Sequence, residues 1–330
     1  MQILYFIGNG FDRNLGLETS YEQFYSHYKK IKSENLNVQA LKKEIKNPSE
    51  IWADLETALG KYTINLDDLN QLDDIIINIK AELGKYLISE EKKLDNVSFD
   101  LKLLHSYLSS PQNRFLLDDK VELNNLFQRW ANHQWDVDLV TFNYTKTIEK
   151  LLDNSIENVQ IGVHHKQVAI KLRELMHIHG YIDREMVLGV NDKEQIDNTS
   201  FQDNQDAIEA IVKPNCNIAN KNGIDKKLSD KLNRANLICI FGCSLGKTDA
   251  KWWELIGKRL KEDCLLLLFK RGNEINLQNL NLIGRQERAE KEKFLSMTNL
   301  TEEEKTTVRS KIYVGINTNM FSKLIVGKTK

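Results

Sequence analysis

The sequence predicts an α/β protein with a Rossmann-like parallel sheet that carries a large helical insertion. Three observations predict it. Short continuous apolar runs at Ile3–Ile7, Leu237–Phe241 and Cys264–Phe269 have the length and character of strands buried on both faces of a parallel sheet. Two of them run straight into small-residue turns, Gly8-Asn9-Gly10 and Gly242-Cys243-Ser244. Between the first run and the next strand candidate lies a stretch, approximately residues 21–135, whose apolar positions recur at helical spacing. That stretch is too long for an ordinary crossover, so it reads as an insertion or subdomain within one domain spanning residues 1–330.

In chain order, Ser20-Tyr-Glu-Gln23 resembles a capping box that opens a helix, because the serine oxygen and the glutamine can satisfy free backbone amides reciprocally. Helical spacing follows in Ile51–Leu59 and Val121–Trp130, with Pro48 and Pro111 as punctuation. Asp138–Asn143 reads as a strand, Lys146–Leu152 as a helix, and Leu175–His179 and Met186–Val190 as further strands. Helices are expected over Gln205–Val212 and Thr248–Lys261. The chain should finish with a strand at Ile312–Ile316 and a helix at Thr318–Val326. The charged stretch Arg285–Lys293 reads as a solvated helical face.

The chain has 330 residues, 46 basic and 47 acidic, for a formal net charge of -1. That balance supplies no general attraction to nucleic acid or to an anionic membrane. No run approaches the roughly 18 apolar residues of a membrane helix, and the first residues lack a signal peptide's basic start and cleavage site, so a cytoplasmic protein is expected. Of Cys216, Cys239, Cys243 and Cys264, three lie in apolar strand-like segments where a reduced thiol acts as a small hydrophobe, so disulfides are not expected, and the spacings give no two Cys-x-x-Cys pairs for a zinc ribbon.

The candidate site residues sit where strands end. Gly8-Asn9-Gly10 is the first half of a dinucleotide fingerprint, with Arg13 where a third glycine would fall; it serves equally as a plain strand-to-helix turn. Glycines there would let backbone approach a ligand, and free amides at the following helix terminus would favour a pyrophosphate. Asp12 could accept from ribose hydroxyls or cap backbone amides. Asn143, after a strand, offers a neutral amide suited to a ribose, or else satisfies its own loop. In extended chain His177 and His179 would face one side, and Gly180 would let the backbone bend around a ligand. Histidine moves protons near neutral pH, whereas a metal lacks a third ligand by spacing. Gly242 and Ser244 begin a second anion-ready loop that ends at Gly246-Lys247-Thr248. It is not a Walker A loop, and although Gly-Cys-Ser-Leu-Gly matches a nucleophile-elbow pattern, the surrounding hydrolase layout is missing.

Taken together, Gly8-Asn-Gly-Phe-Asp12 with Gly16–Phe24, Trp52-Ala-Asp-Leu-Glu56, Thr141-Phe-Asn-Tyr, His177-Ile-His-Gly and Phe241–Asp249 resemble the AbiH family of bacteriophage abortive-infection proteins. The strand-end blocks also look like the wider sirtuin-like superfamily, which surrounds NAD with such loops. The resemblance implies a sirtuin-like fold and places Gly8, Asn9, Gly10, Phe11, Asp12, Thr141, Gly242 and Ser244 around the nucleotide, with Asn143 and His179 as the catalytic pair. Asn9 departs from the usual alanine of sirtuin glycine loops. The missing zinc cysteines argue against deacetylation and favour defence-type NAD hydrolysis.

The expected reaction is release of nicotinamide from NAD, which needs no general acid because a cationic pyridinium leaves as a neutral base, and which develops an oxocarbenium-like sugar. No cofactor beyond NAD as substrate is implied. A phage-derived activator and a homo-oligomer fit the same picture. A non-catalytic nucleotide sensor is the main alternative. A nuclease effector would need a metal carboxylate cluster or a basic stripe that the sequence does not display.

Overall fold

A computed structural model describes residues 1–46, 50–273 and 281–328. Pro48 lies outside the described residues. The strands are β1 (Gln2–Ile7), β2 (Val97–Phe99), β3 (Trp135–Thr141), β4 (Val159–His164), β5 (Val168–His177), β6 (Leu237–Phe241), β7 (Leu265–Lys270), β8 (Ile312–Ile316) and β9 (Ile325–Lys328). Seven of them form one sheet in the order β4-β5-β3-β1-β6-β7-β8. All pairings are parallel except β4 against β5. The chain moves outward from β1 to β3 and β5 on one side, then crosses back to β6 and continues to β7 and β8 on the other. The reversal point is therefore the β1–β6 pair.

Residues alternate between the two faces of β1, and each face has its own core. Ile3, Tyr5 and Ile7 pack with Leu104, Tyr107, Leu123 and Phe127 of the helices Leu101–Ser109 and Leu117–Phe127. Leu4 and Phe6 pack on the opposite face with Leu228, Trp253, Ile256 and Phe294 of the helices Ile224–Leu232, Ala250–Leu260 and Asn281–Ser296. Covering both faces is what makes continuous apolar runs tenable in β1, β6 and β7.

The segment between β1 and β3 is mostly helical, and its packing divides it. Helices Tyr21–Tyr28, Leu36–Lys46, Leu55–Tyr62 and Leu69–Glu91 form a third core together with Leu188, Val190, Phe201 and Ile211. The later helices of the segment belong to the sheet instead. Ser20 and Gln23 form the expected capping box.

Four expectations need correction. The strand expected at Leu175–His179 is β5, which starts earlier, at Val168, and ends two residues sooner, at His177, because the chain turns at Gly180, whose φ is +72°. Met186–Val190 is no strand; Val190 makes only an isolated bridge to Val212. Thr318–Val326 is not helical, since Phe321 and Lys323 adopt positive φ, and the chain then enters β9. β9 pairs antiparallel with β2, a short strand inside the stretch read as helical. The antiparallel edge strand β4 was not anticipated, because its half-exposed residues alternate and include Gly162 rather than forming an apolar run.

Candidate functional site

The carboxyl ends of the parallel strands open into a cleft of about 970 Å³, large enough for a ligand of nucleotide size. It lies over the reversal point, where open α/β sheets place ligands. Asn9, Gly10, Asp12, Asn143, His179, Gly242 and Ser244 line it. Gly8, Phe11 and Thr141 do not.

Those three stand behind the wall. Phe11 is buried against Phe241 and Phe321 in the core beneath the sheet. The Thr141 hydroxyl donates to the Ile7 carbonyl at 3.1 Å and accepts the Asn143 amide at 3.0 Å, so it shapes the turn that presents Asn143. The Gly8 carbonyl accepts from Asn143 Nδ2 at 3.3 Å.

The glycines serve a different purpose from the one expected. The Gly10 amide donates to the Gly242 carbonyl at 2.9 Å, and the Phe11 amide donates to the Gly8 carbonyl at 2.9 Å. A Cβ at Gly10 would stand 2.5 Å from the Gly242 Cα, and one at Gly242, where φ is +72°, would stand 2.8 Å from the Phe11 nitrogen. Close approach is thus between the two loops rather than between backbone and ligand. The helix that follows runs only from Gly10 to Asn14 and carries Asp12 in its first turn, so expected pyrophosphate binding on its free amides finds little there. Asn9 is also engaged: Nδ2 donates to the Thr19 carbonyl at 2.9 Å and Oδ1 accepts from the Thr19 hydroxyl.

The two histidines have separate fates. β5 ends at His177, so strand alternation does not extend to His179. The His177 ring is stacked on Tyr181, with Nδ1 donating to the Asn143 carbonyl at 2.9 Å and Nε2 2.9 Å from Glu149 Oε1. It supports the Asn143 turn from below. His179, only 4% exposed, borders the cleft, with Phe142 at 5.3 Å between ring centroids.

His179 Nε2 lies 3.1 Å from Asp249 Oδ1. An N–H donated there leaves the lone pair on Nδ1. The same Asp249 oxygen accepts from Lys213 Nζ at 2.8 Å, and that ammonium also donates to Glu56 Oε2 at 2.8 Å. Glu56, Lys213, Asp249 and His179 form one buried charged chain. Burial alone would push the Asp249 carboxyl up, but Lys213 and His179 outweigh it and hold it well below the usual carboxylate range. Burial would likewise lower the Lys213 ammonium, but Asp249 and Glu56 outweigh it and raise the group. Glu56 is raised, chiefly by burial.

Local structure explains how these side chains meet. Asp54 caps the helix Leu55–Tyr62 by accepting the Glu56 and Thr57 amides, which aims the first turn at the cleft. The Lys213 amide donates to the Val190 carbonyl at 2.9 Å, tying the start of its helix to the loop after His179. Asp249 ends a single 3-10 turn, Lys247–Asp249, before the helix Ala250–Leu260, and the Trp253 indole N–H donates to the Gly246 carbonyl at 2.9 Å to fix that loop.

Glu56, Lys213 and Asp249 had no assigned role in the sequence reading. Glu56 and Asp249 are nevertheless the last residues of two motif blocks quoted there, which was the available signal. Lys213 had none: it is a single lysine before Pro214 at a helix start.

Asp12 is 1% exposed and borders the cleft. Its Oδ2 accepts from the Thr145 hydroxyl at 2.6 Å, whereas Oδ1 has no hydrogen-bond partner among the described residues. Burial pushes its pKa up to about 6. Ser244 is exposed at the cleft surface. The helix Asn281–Ser296 is largely solvated as expected, yet it also lends Glu290 and Lys293 to the cleft. All four cysteines are buried and unpaired. No helix among the described residues is long and apolar enough to cross a membrane.

Comparison with curated proteins finds no match. A family model described as bacteriophage abortive infection AbiH matches residues 4–269. The matched span runs from β1 to the end of β7 and contains Asp12, Glu56, Asn143, His179, Lys213 and Asp249. The family suggests a role in phage defence, and with most of the sequence inside the match, the chain belongs to the AbiH family of bacteriophage abortive infection proteins.

Proposed function

We propose that this defence protein hydrolyses NAD to nicotinamide and ADP-ribose. The observation that carries the reading is His179 at the cleft wall, oriented through Nε2 by a half-buried Asp249. Two features add support. Taken alone, the six parallel strands follow the third-second-first-fourth-fifth-sixth order of doubly wound folds, which bind dinucleotides at the reversal point and which include the sirtuin-like type. The cleft is also polar in the sense NAD requires: Asp54, Glu56 and Asp249 lie toward the His179 end, suited to a cationic pyridinium, and Lys270 and Arg271 lie toward the other, suited to phosphates.

In this reading the nicotinamide ribose sits between Asn143 and His179. The C1′–N bond breaks with its electron pair going to the pyridine nitrogen, so nicotinamide leaves neutral. Water adds to the oxocarbenium-like C1′ and gives its proton to His179 Nδ1. Asp249 stabilises the resulting imidazolium. The pyrophosphate extends past Ser244 toward the basic end.

The test is NAD turnover by the purified chain, alone and with phage lysate, with nicotinamide separated from ADP-ribose. Nicotinamide release that His179→Ala lowers by about a hundredfold or more supports the reading. Full turnover in a folded His179→Ala variant removes that residue from the reaction. NAD binding with no turnover in either condition refutes hydrolysis and favours a nucleotide sensor.

A further inference from the structure

The basic end of the cleft holds more positive charge than a pyrophosphate requires. Lys270, Arg271 and Lys293 stand together at the β7 end with Glu290 as the carboxylate beside them, and Arg13 adds a fourth cation to a lining whose other carboxylates are Asp12, Asp54, Glu56 and Asp249. Lys270 Nζ donates to the Cys243 carbonyl at 3.0 Å, and its nearest carboxylate oxygen, Glu290 Oε2, is 3.7 Å away. That oxygen has no hydrogen-bond partner among the described residues. Arg13, Arg271 and Lys293 form no ion pair among the described residues. Lys270 is mostly buried, and burial depresses its ammonium, with Glu290 opposing that shift and the neighbouring Lys293 adding to it. Asn14 Nδ2 donates to the Phe321 carbonyl at 2.6 Å, which holds the Arg13 helix against the loop that closes this end.

Position decides which phosphate these cations meet. His179 lies just past β5, and Lys270 and Arg271 lie at the end of β7. In the order β5-β3-β1-β6-β7 that separation is four strand spacings, roughly 19 Å at about 4.8 Å each. With the nicotinamide ribose at His179, the pyrophosphate falls near the middle of that span, by the loops that follow β1 and β6. The β7 end is left to the adenosine ribose.

We propose that this end is a phosphomonoester subsite and that the preferred substrate is the 2′-phosphorylated dinucleotide, NADP, rather than NAD. The proposal rests on the functional reading above for the direction in which the dinucleotide lies. Lys270 and Arg271 pair with the 2′-phosphate as charge-assisted donors, and Lys293 adds to the local field.

The test uses nucleotides without nicotinamide, so that its outcome is separate from turnover. Calorimetric titration of the full chain at low salt compares adenosine 2′,5′-bisphosphate with adenosine 5′-monophosphate. Binding of the bisphosphate about tenfold or more tighter is expected, with an advantage that shrinks as salt is added. Arg271→Ala combined with Lys293→Ala, both exposed positions, should cut the bisphosphate's advantage severalfold, leaving only what Lys270 supplies. Equal affinities in the unaltered chain, binding of neither nucleotide, or a preference that the double substitution leaves undiminished would each overturn the subsite. Absence of NAD or NADP turnover alongside a clear bisphosphate preference would remove hydrolysis and leave the subsite standing.

Discussion

Lys213→Met tests the buried charged chain most directly, because the side chain keeps its bulk and loses only its ammonium. Lys213 Nζ is the shared donor to Glu56 and Asp249, both at 2.8 Å, and the Lys213 and Glu56 side chains are 5% and 7% exposed. Without the ammonium, Asp249 retains His179 at 3.1 Å, but Glu56 faces the cleft wall as a buried, unpaired carboxylate. Its least costly response is to take up a proton. From an ordinary value of 4.5, neutralising a carboxyl costs about 1.4 kcal/mol per pH unit, and since Glu56 is already raised in the unaltered chain its loss is at most about 3 kcal/mol at pH 7 and less than about 1 kcal/mol at pH 5. The pH 7 ceiling meets the low end of the roughly 3 to 5 kcal/mol typical of breaking a buried pair. Urea unfolding followed by tryptophan fluorescence at both pH values measures the difference. The double variant with Glu56→Gln should recover most of the pH 7 loss, since no orphaned charge remains. A Lys213→Met cost below about 1 kcal/mol at pH 7, or the same cost at both pH values, would refute the reasoning.

Asp12→Asn should stabilise the protein near neutral pH. The Asp12 carboxyl is raised to about 6 from an ordinary 3.8, so the stability its neutral form contributes is fully present below about pH 4 and is lost as pH rises through about 6. The substitution should therefore gain at most about 3 kcal/mol at pH 7.5 and nothing at pH 4, as read from urea midpoints; equal effects at the two pH values would contradict a buried titrating carboxyl. Gly242→Ala should destabilise more than Gly223→Ala, although both glycines adopt positive φ, +72° and +63°. The second site has open space around a new Cβ and should cost only the backbone strain of about 1 to 2 kcal/mol, whereas the first drives a methyl into Phe11 and Gly10. Equal losses in thermal unfolding would mean that the two loops can separate without penalty.

Strands buried on both faces announced themselves, because a continuous apolar run such as Ile3–Ile7 or Leu237–Phe241 has few other uses in a chain with this much charge. The capping box at Ser20 and the turns that end β1 and β6 were equally legible, since their determinants lie within a few residues of one another. Local pattern did not suffice for β4, whose residues alternate at an edge, or for β9, which is a strand only because β2, more than 200 residues earlier, offers it a partner.

The candidate site divides along the same line. Asn143 and His179 could be picked out because each stands at the end of a recognisable strand. The resemblance singled out His179, and His179 rather than His177 borders the cleft; the physical reason, where β5 stops and how Gly180 turns the chain, is visible only in the fold. Hydrophobic pattern and turn chemistry, which act over short distances, thus specify the layered α/β plan and the loops that crowd its carboxyl edge. That Lys213, 157 residues from Glu56 and 36 from Asp249, holds both carboxylates follows from the folded geometry alone, because an ion pair between distant segments leaves no periodic trace along the chain.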